Sequence, residues 1–84
     1  MATQQELIVF GTLGCLLCEE ARALAVAEAE RAGFSVHDVD VADDPRLLAL
    51  YGERIPVVKR ADRQLELSWP FDRQMLRLLL QDDA

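Results

Sequence analysis

Leu7-Ile8-Val9-Phe10-Gly11-Thr12-Leu13-Gly14-Cys15-Leu16-Leu17-Cys18 is the stretch on which the fold turns. An apolar run reads as a buried strand, and the alanine-rich stretch after the cysteines favours helix. The two cysteines stand three apart at the junction. At a helix start one turn brings both side chains onto the same face, so they can close a disulfide with little backbone movement. Redox chemistry fits that geometry. The same spacing opens many zinc sites, but a tetrahedral site needs four donors and the only other soft donor is His37. No metal site is therefore assigned within one chain, and His37 reads as a solvent-facing strand residue.

Working outward, Glu6 to Gly11 forms the first strand. The helix runs from Cys15 or Leu16 to Ala32, with Leu17, Ala21, Leu24 and Ala25 facing inward. Glu19, Glu20, Arg22, Glu28 and Arg31 lie largely on other faces, and Gly33 supplies the stop. Phe34 to Val41 is a second strand, which the crossover helix makes parallel to the first. Asp43-Asp44-Pro45 offers an N-cap and a first-turn proline for a short helix through Leu47, Leu48 and Tyr51 to Gly52. Pro56 to Arg60 and Gln64 to Ser68 are strands of a hairpin joined through Ala61-Asp62-Arg63. Lys59, Arg60 and Arg63 read as its solvated, charged edge. A last helix starts near Pro70 to Asp72, with Phe71, Met75, Leu78 and Leu79 on one face.

The chain has 84 residues, which is one small domain, 1–84. A hydrophobic fraction of 51% supports a core, and a net charge of -6 argues against nucleic acid, whose binding relies on cations. Met1 to Glu6 lacks the basic region and apolar core of a secretory signal. No run approaches the roughly 18 apolar residues of a membrane span. A monomer in a reducing cytoplasm, without membrane or nucleic-acid partners, is the expectation. In that compartment a cysteine pair is more often catalytic or metal-binding than structural.

The order βαβαββα, with two cysteines after the first strand, resembles the thioredoxin fold in its smallest, glutaredoxin-like version. The resemblance implies an α/β domain with a four-stranded mixed sheet flanked by helices. Phe10 to Cys18 resembles the glutaredoxin active-site segment, and Arg54-Ile55-Pro56-Val57 the segment carrying the superfamily's cis-proline. It implies a cis bond before Pro56, close to the nucleophilic cysteine, with the Ile55 backbone pairing with a substrate. Leu16 and Leu17 stand where glutaredoxins usually have proline and an aromatic, and Thr12 where many have a cation. Trp69-Pro70 replaces the glycine pair of the glutathione site, while Asp72 matches the acidic residue that follows it. The pattern is most similar to the small glutaredoxin-like proteins.

A cysteine at a helix N-terminus gains about 0.3 to 1 kcal/mol for an exposed thiolate from unpaired N–H groups and the helix dipole. Cys15 occupies that place and is the expected attacking thiol. Cys18, one turn deeper, is the expected resolving thiol. Glu19 and Glu20 oppose a nearby thiolate, and cationic help is expected across space from Arg54. The expected function is thiol-disulfide exchange on a protein or low-molecular-weight disulfide, with a thiol as electron donor. Leu16, Leu17, Ile55, Pro56, Trp69 and Asp72 form the expected substrate surface, although Trp69 and Phe71 also suit plain packing. No bound cofactor is expected, and glutathione is expected to be a weak co-substrate. Two alternatives stay open: a metal or iron-sulfur module shared by two subunits, and an interaction domain with little turnover.

Overall fold

Alternation along the first strand divides the protein into two cores. In β1 (Glu6–Gly11) Leu7 and Val9 face one side of the sheet and Ile8 and Phe10 the other. The computed structural model describes residues 5–81. Its remaining elements are α1 (Leu16–Ala32), β2 (Ser35–Asp40), a 3-10 turn (Val41–Asp43), α2 (Pro45–Tyr51), β3 (Val57–Arg60), β4 (Leu65–Ser68) and α3 (Arg73–Leu80). The sheet order is β2-β1-β3-β4, with β2 parallel to β1 and the other neighbours antiparallel. This is the βαβαββα order and four-stranded mixed sheet read from the sequence.

Helices α1 and α3 cover the Leu7–Val9 face, where Ala21, Ala25 and Ala29 pack with Phe34, Val58, Leu76 and Leu79. Small side chains let α1 lie close to the sheet. Gly33 ends α1 at φ +81°, a left-handed conformation that glycine adopts without steric cost. Helix α2 covers the other face, where Tyr51 stacks on Phe10 with ring centroids 4.2 Å apart. Asp44 caps it by accepting from the Arg46 N–H at 2.9 Å, and Pro45 opens it, as the sequence predicts. Among the described residues, no helix is long and apolar enough to cross a membrane.

The side chains that face inward differ from expectation at several places. In α1 the buried stripe is Cys18, Ala21, Ala25, Glu28 and Ala29, whereas Leu17 is 49% exposed. Glu28 is buried because α3 brings Arg77 to 2.9 Å and Arg73 to 3.5 Å of its carboxylate. Hydrogen bonding from Arg77 holds that carboxyl below its ordinary range, against the opposing effect of burial. In α3 the inward residues are Leu76, Leu79 and Leu80, and Met75 and Leu78 face outward. Arg60 is not at a solvated edge. It is fully buried beneath α3, where Nη1 donates to the Leu79 and Gln81 carbonyls at 2.9 and 3.0 Å. Two terminal carbonyls that no intrahelical N–H reaches are thereby satisfied.

Candidate active site at the end of the central strand

Cys15 is the N-cap of α1, with extended backbone at φ −97° and ψ 109°. Its Sγ accepts the Cys18 N–H at 3.2 Å, the place an Asn or Ser oxygen takes at other helix starts. Cys15 and Cys18 are disulfide-bonded, with Cα atoms 5.2 Å apart, inside the range that a disulfide spans. Gly14 makes the approach possible by turning at φ +77°. Cys15 is partly exposed, and Cys18 is buried at 8% exposure. Cys18 rests on Gly11, where a Cβ would stand 3.3 Å from both its Cβ and its Sγ. A side chain at the strand's last position would press on this sulfur, which would have to give by a few tenths of an ångström.

Register brings together, at this end of the sheet, the last residues of β1 and β2 and the residues flanking β3 and β4. Phe10 lies opposite Val57, so one step further Gly11 lies beside Pro56. The Pro56 carbonyl accepts the Trp69 N–H at 2.9 Å, and on the other flank Gly11 pairs with Asp40. Asp40, Gly11, Pro56 and Trp69 therefore form one row across the sheet, below the start of α1. The Ile55–Pro56 bond is cis, as the resemblance implies, and so is Trp69–Pro70, which no motif signals. Leu16 is 79% exposed and Leu13 91%. Ile55 and Trp69 are half-buried, and Trp69 meets Phe71 edge-on at 5.1 Å. Asp72 is the N-cap of α3, accepting from the Met75 N–H at 2.8 Å.

The model of the Glutaredoxin-like domain family (DUF836) matches residues 6–81. The chain belongs to this family. It is similar to the target protein XcR50 from X. campestris, with 39% identity over 88% of this chain and 93% of that one, at a TM-score of 0.75. Protein Ne2328 from Nitrosomonas europaea shares 26% identity over 96% of both chains, with a TM-score of 0.78. Thioredoxin 1 from the thermophilic eubacterium Thermosipho africanus TCF52B shares 15% identity over 89% of both chains, with a TM-score of 0.71, which speaks for the fold alone. No curated protein matches the chain.

In this glutaredoxin-like domain the charges around the cysteines differ from expectation. Arg54 is engaged elsewhere: it pairs with Glu66 at 3.1 Å, lies 4.9 Å over the Tyr51 ring and donates to the Leu50 carbonyl at 3.3 Å. The Tyr51 hydroxyl donates to Glu66, and burial, with Glu66 adding to it, pushes the phenol above its ordinary value. Behind Cys18 the domain holds a cavity of about 250 Å³ between α1 and β2. Its charged lining is Glu19 and Arg22 from α1 and Asp38 and Asp40 from β2. Arg22 clasps Asp38 through two hydrogen bonds of 2.8 and 2.9 Å. The cavity was not legible in the spacing of the cysteines. Its signal was the pair Asp38 and Asp40, two apart on a strand and so on one face.

Proposed function

We propose that this domain is a dithiol-disulfide oxidoreductase of a reducing, cytoplasmic compartment. Cys15 attacks one sulfur of a substrate disulfide, and the displaced sulfur leaves as a thiol after taking a proton. Cys18 then attacks Cys15 Sγ, the intramolecular disulfide forms and the second substrate thiol departs. Two electrons pass from the dithiol to the substrate, and an external thiol donor restores the pair. The observation that carries this reading is the position of Cys15 as helix cap. Its sulfur already accepts the Cys18 N–H, a bond that stabilises a thiolate more than a neutral thiol.

The partner proposed is a protein disulfide, docked on Leu16, Leu17, Ile55 and Trp69 with Pro56 below and Asp72 at the rim. Exposed Leu16, beside the cysteines, supports an apolar contact rather than a small anionic one. Glutathione is proposed to bind weakly, because Thr12 offers no charge and Arg54 already pairs with Glu66. Each missing charge-assisted bond costs about 1.5 to 3 kcal/mol, or roughly tenfold or more in affinity. Trapping tests the whole reading. Cys18→Ser accumulates a mixed disulfide through Cys15, Cys15→Ser accumulates none, and a protein disulfide loads the trap faster than oxidised glutathione. A reversed pattern between the two variants overturns the roles, and faster loading by glutathione overturns the choice of partner.

A further inference from the structure

Resting on that reading, we propose that Asp40 is a positioning residue for the resolving thiol. Its carboxylate holds reduced Cys18 as a neutral S–H donor, so that negative charge resides on Cys15 alone. Gly11 and Asp40 are partners in the parallel register, and residues so paired face the same side of the sheet. Cys18 Sγ marks that side, lying 3.3 Å from where a Gly11 Cβ would be. Neighbouring strands stand about 4.8 Å apart, so the Asp40 Cβ is about 5 Å from the space the sulfur packs against. Asp38, two residues earlier, confirms the direction by reaching Arg22 on α1. The Asp40 carboxylate is held in place through Oδ1, which accepts the Ala42 N–H at 2.9 Å. Asp40 and Cys18 line the same cavity, and in the reduced protein the other carboxylate oxygen, Oδ2, is the proposed acceptor for the Cys18 S–H.

The charges facing Cys18 there decide the sign. From α1 come Glu19 and Arg22, from β2 Asp38 and Asp40, and β1 with its following loop adds none. Arg22 is clasped by Asp38, which leaves the Asp40 and Glu19 charges uncompensated by that pair. A carboxylate close to a thiol favours its protonated form, and a carboxylate oxygen accepts an S–H hydrogen bond. In the resolving step the Cys18 proton passes into the water of the cavity and the Cys18 thiolate attacks Cys15 Sγ. The bond between Cys15 and the substrate sulfur breaks, and that sulfur departs with the electron pair and is protonated. Asp40 thus sets the pH at which resolution begins, while Cys15 attack is left free to proceed at lower pH.

The test titrates Cys18 in the reduced Cys15→Ser protein by the ultraviolet absorbance of the thiolate. Asp40→Asn keeps a cap for the Ala42 N–H but removes the charge. It moves the Cys18 midpoint down by about one pH unit, and the charge-free cap Asp40→Ser does the same. Asp43→Asn, which removes a carboxylate that does not line the cavity, leaves the midpoint in place. In the dithiol protein, Asp40→Asn shifts the pH profile of the resolving step to lower pH by the same amount. An unmoved midpoint in both Asp40 variants overturns the proposal, as does a larger shift on Glu19→Gln. The titration uses a protein that cannot turn over, so its result stands apart from the trapping experiment, and either can fail alone.

Discussion

Replacing Arg60 by methionine tests whether a buried cation ties α3 to the sheet. Its side chain is fully buried, with Nη1 donating to the Leu79 and Gln81 carbonyls at 2.9 and 3.0 Å. Nε and Nη2 bind Asp62, Nη2 also reaches Gln5, and the guanidinium lies 4.9 Å over the Phe34 ring. Methionine fills much of that volume but donates no hydrogen bond. Each charge-assisted bond to a carbonyl is worth about 1.5 to 3 kcal/mol, so the two carbonyl bonds alone give a loss of about 3 kcal/mol or more. For a domain of this size that lowers Tm by about 12 to 24 °C and moves a urea midpoint by about 3 M at a slope near 1 kcal/mol per M. Fluorescence of Trp69, the single tryptophan, reports the transition. Arg60→Lys recovers only part of the loss, because an ammonium lacks the planar fork that meets several acceptors at once. A loss below about 1 kcal/mol for Arg60→Met would refute the claim that these bonds secure the helix.

Two further outcomes concern pH. The Glu28 carboxyl lies below its unfolded value of about 4.3, so its contribution to stability is complete above that value and disappears as pH falls through the lowered one. The Tm difference between the natural protein and Glu28→Gln is therefore wide at neutral pH and closes in acid; a gap that does not change with pH would contradict the pairing with Arg77. Tyr51 is the single tyrosine, so alkaline absorbance titration reads it alone. Because burial and Glu66 raise it, the midpoint lies above the ordinary value of about 10, and the stability it contributes below that pH is lost as pH rises through the raised midpoint. A midpoint at or below 10 would show that the phenol is not shielded.

What could be read from the chain was whatever neighbouring residues decide among themselves. The strand before Gly11, the cap and proline that open α2, and the glycine that ends α1 each depend on a few adjacent positions, and each stands where it was read. The inward face of α3 depends on more. Its run of leucines offers two stripes of similar hydrophobicity, one through Met75 and Leu78 and one through Leu76 and Leu80, and only docking against α1 and the sheet selects the second. Glu28 and Arg60 were misplaced for the same reason. A charged side chain can be buried only where partners await it, and theirs are Arg77, 49 positions away, and the Leu79 carbonyl, 19 positions away.

The site divides along the same line. Cys15 and Cys18 were legible because one helical turn joins them, and Pro56 because a family motif marks it. Asp40 carries no motif. It comes to the cysteines only because β2 pairs with β1 in a register that sets Gly11 beside it, while β3 sets Pro56 beside the same glycine. Gly11, with no side chain of its own, leaves room for the Cys18 sulfur against the end of β1, in the row that holds Pro56 on one flank and Asp40 on the other. A substrate arriving over Pro56 would meet the disulfide from one side, and water in the cavity would meet Cys18 from the other. On the proposed chemistry, sulfur exchange and proton release use different sides of Cys18, and it is the strand register, not the spacing of the cysteines, that brings Asp40 and Pro56 to the two flanks of Gly11.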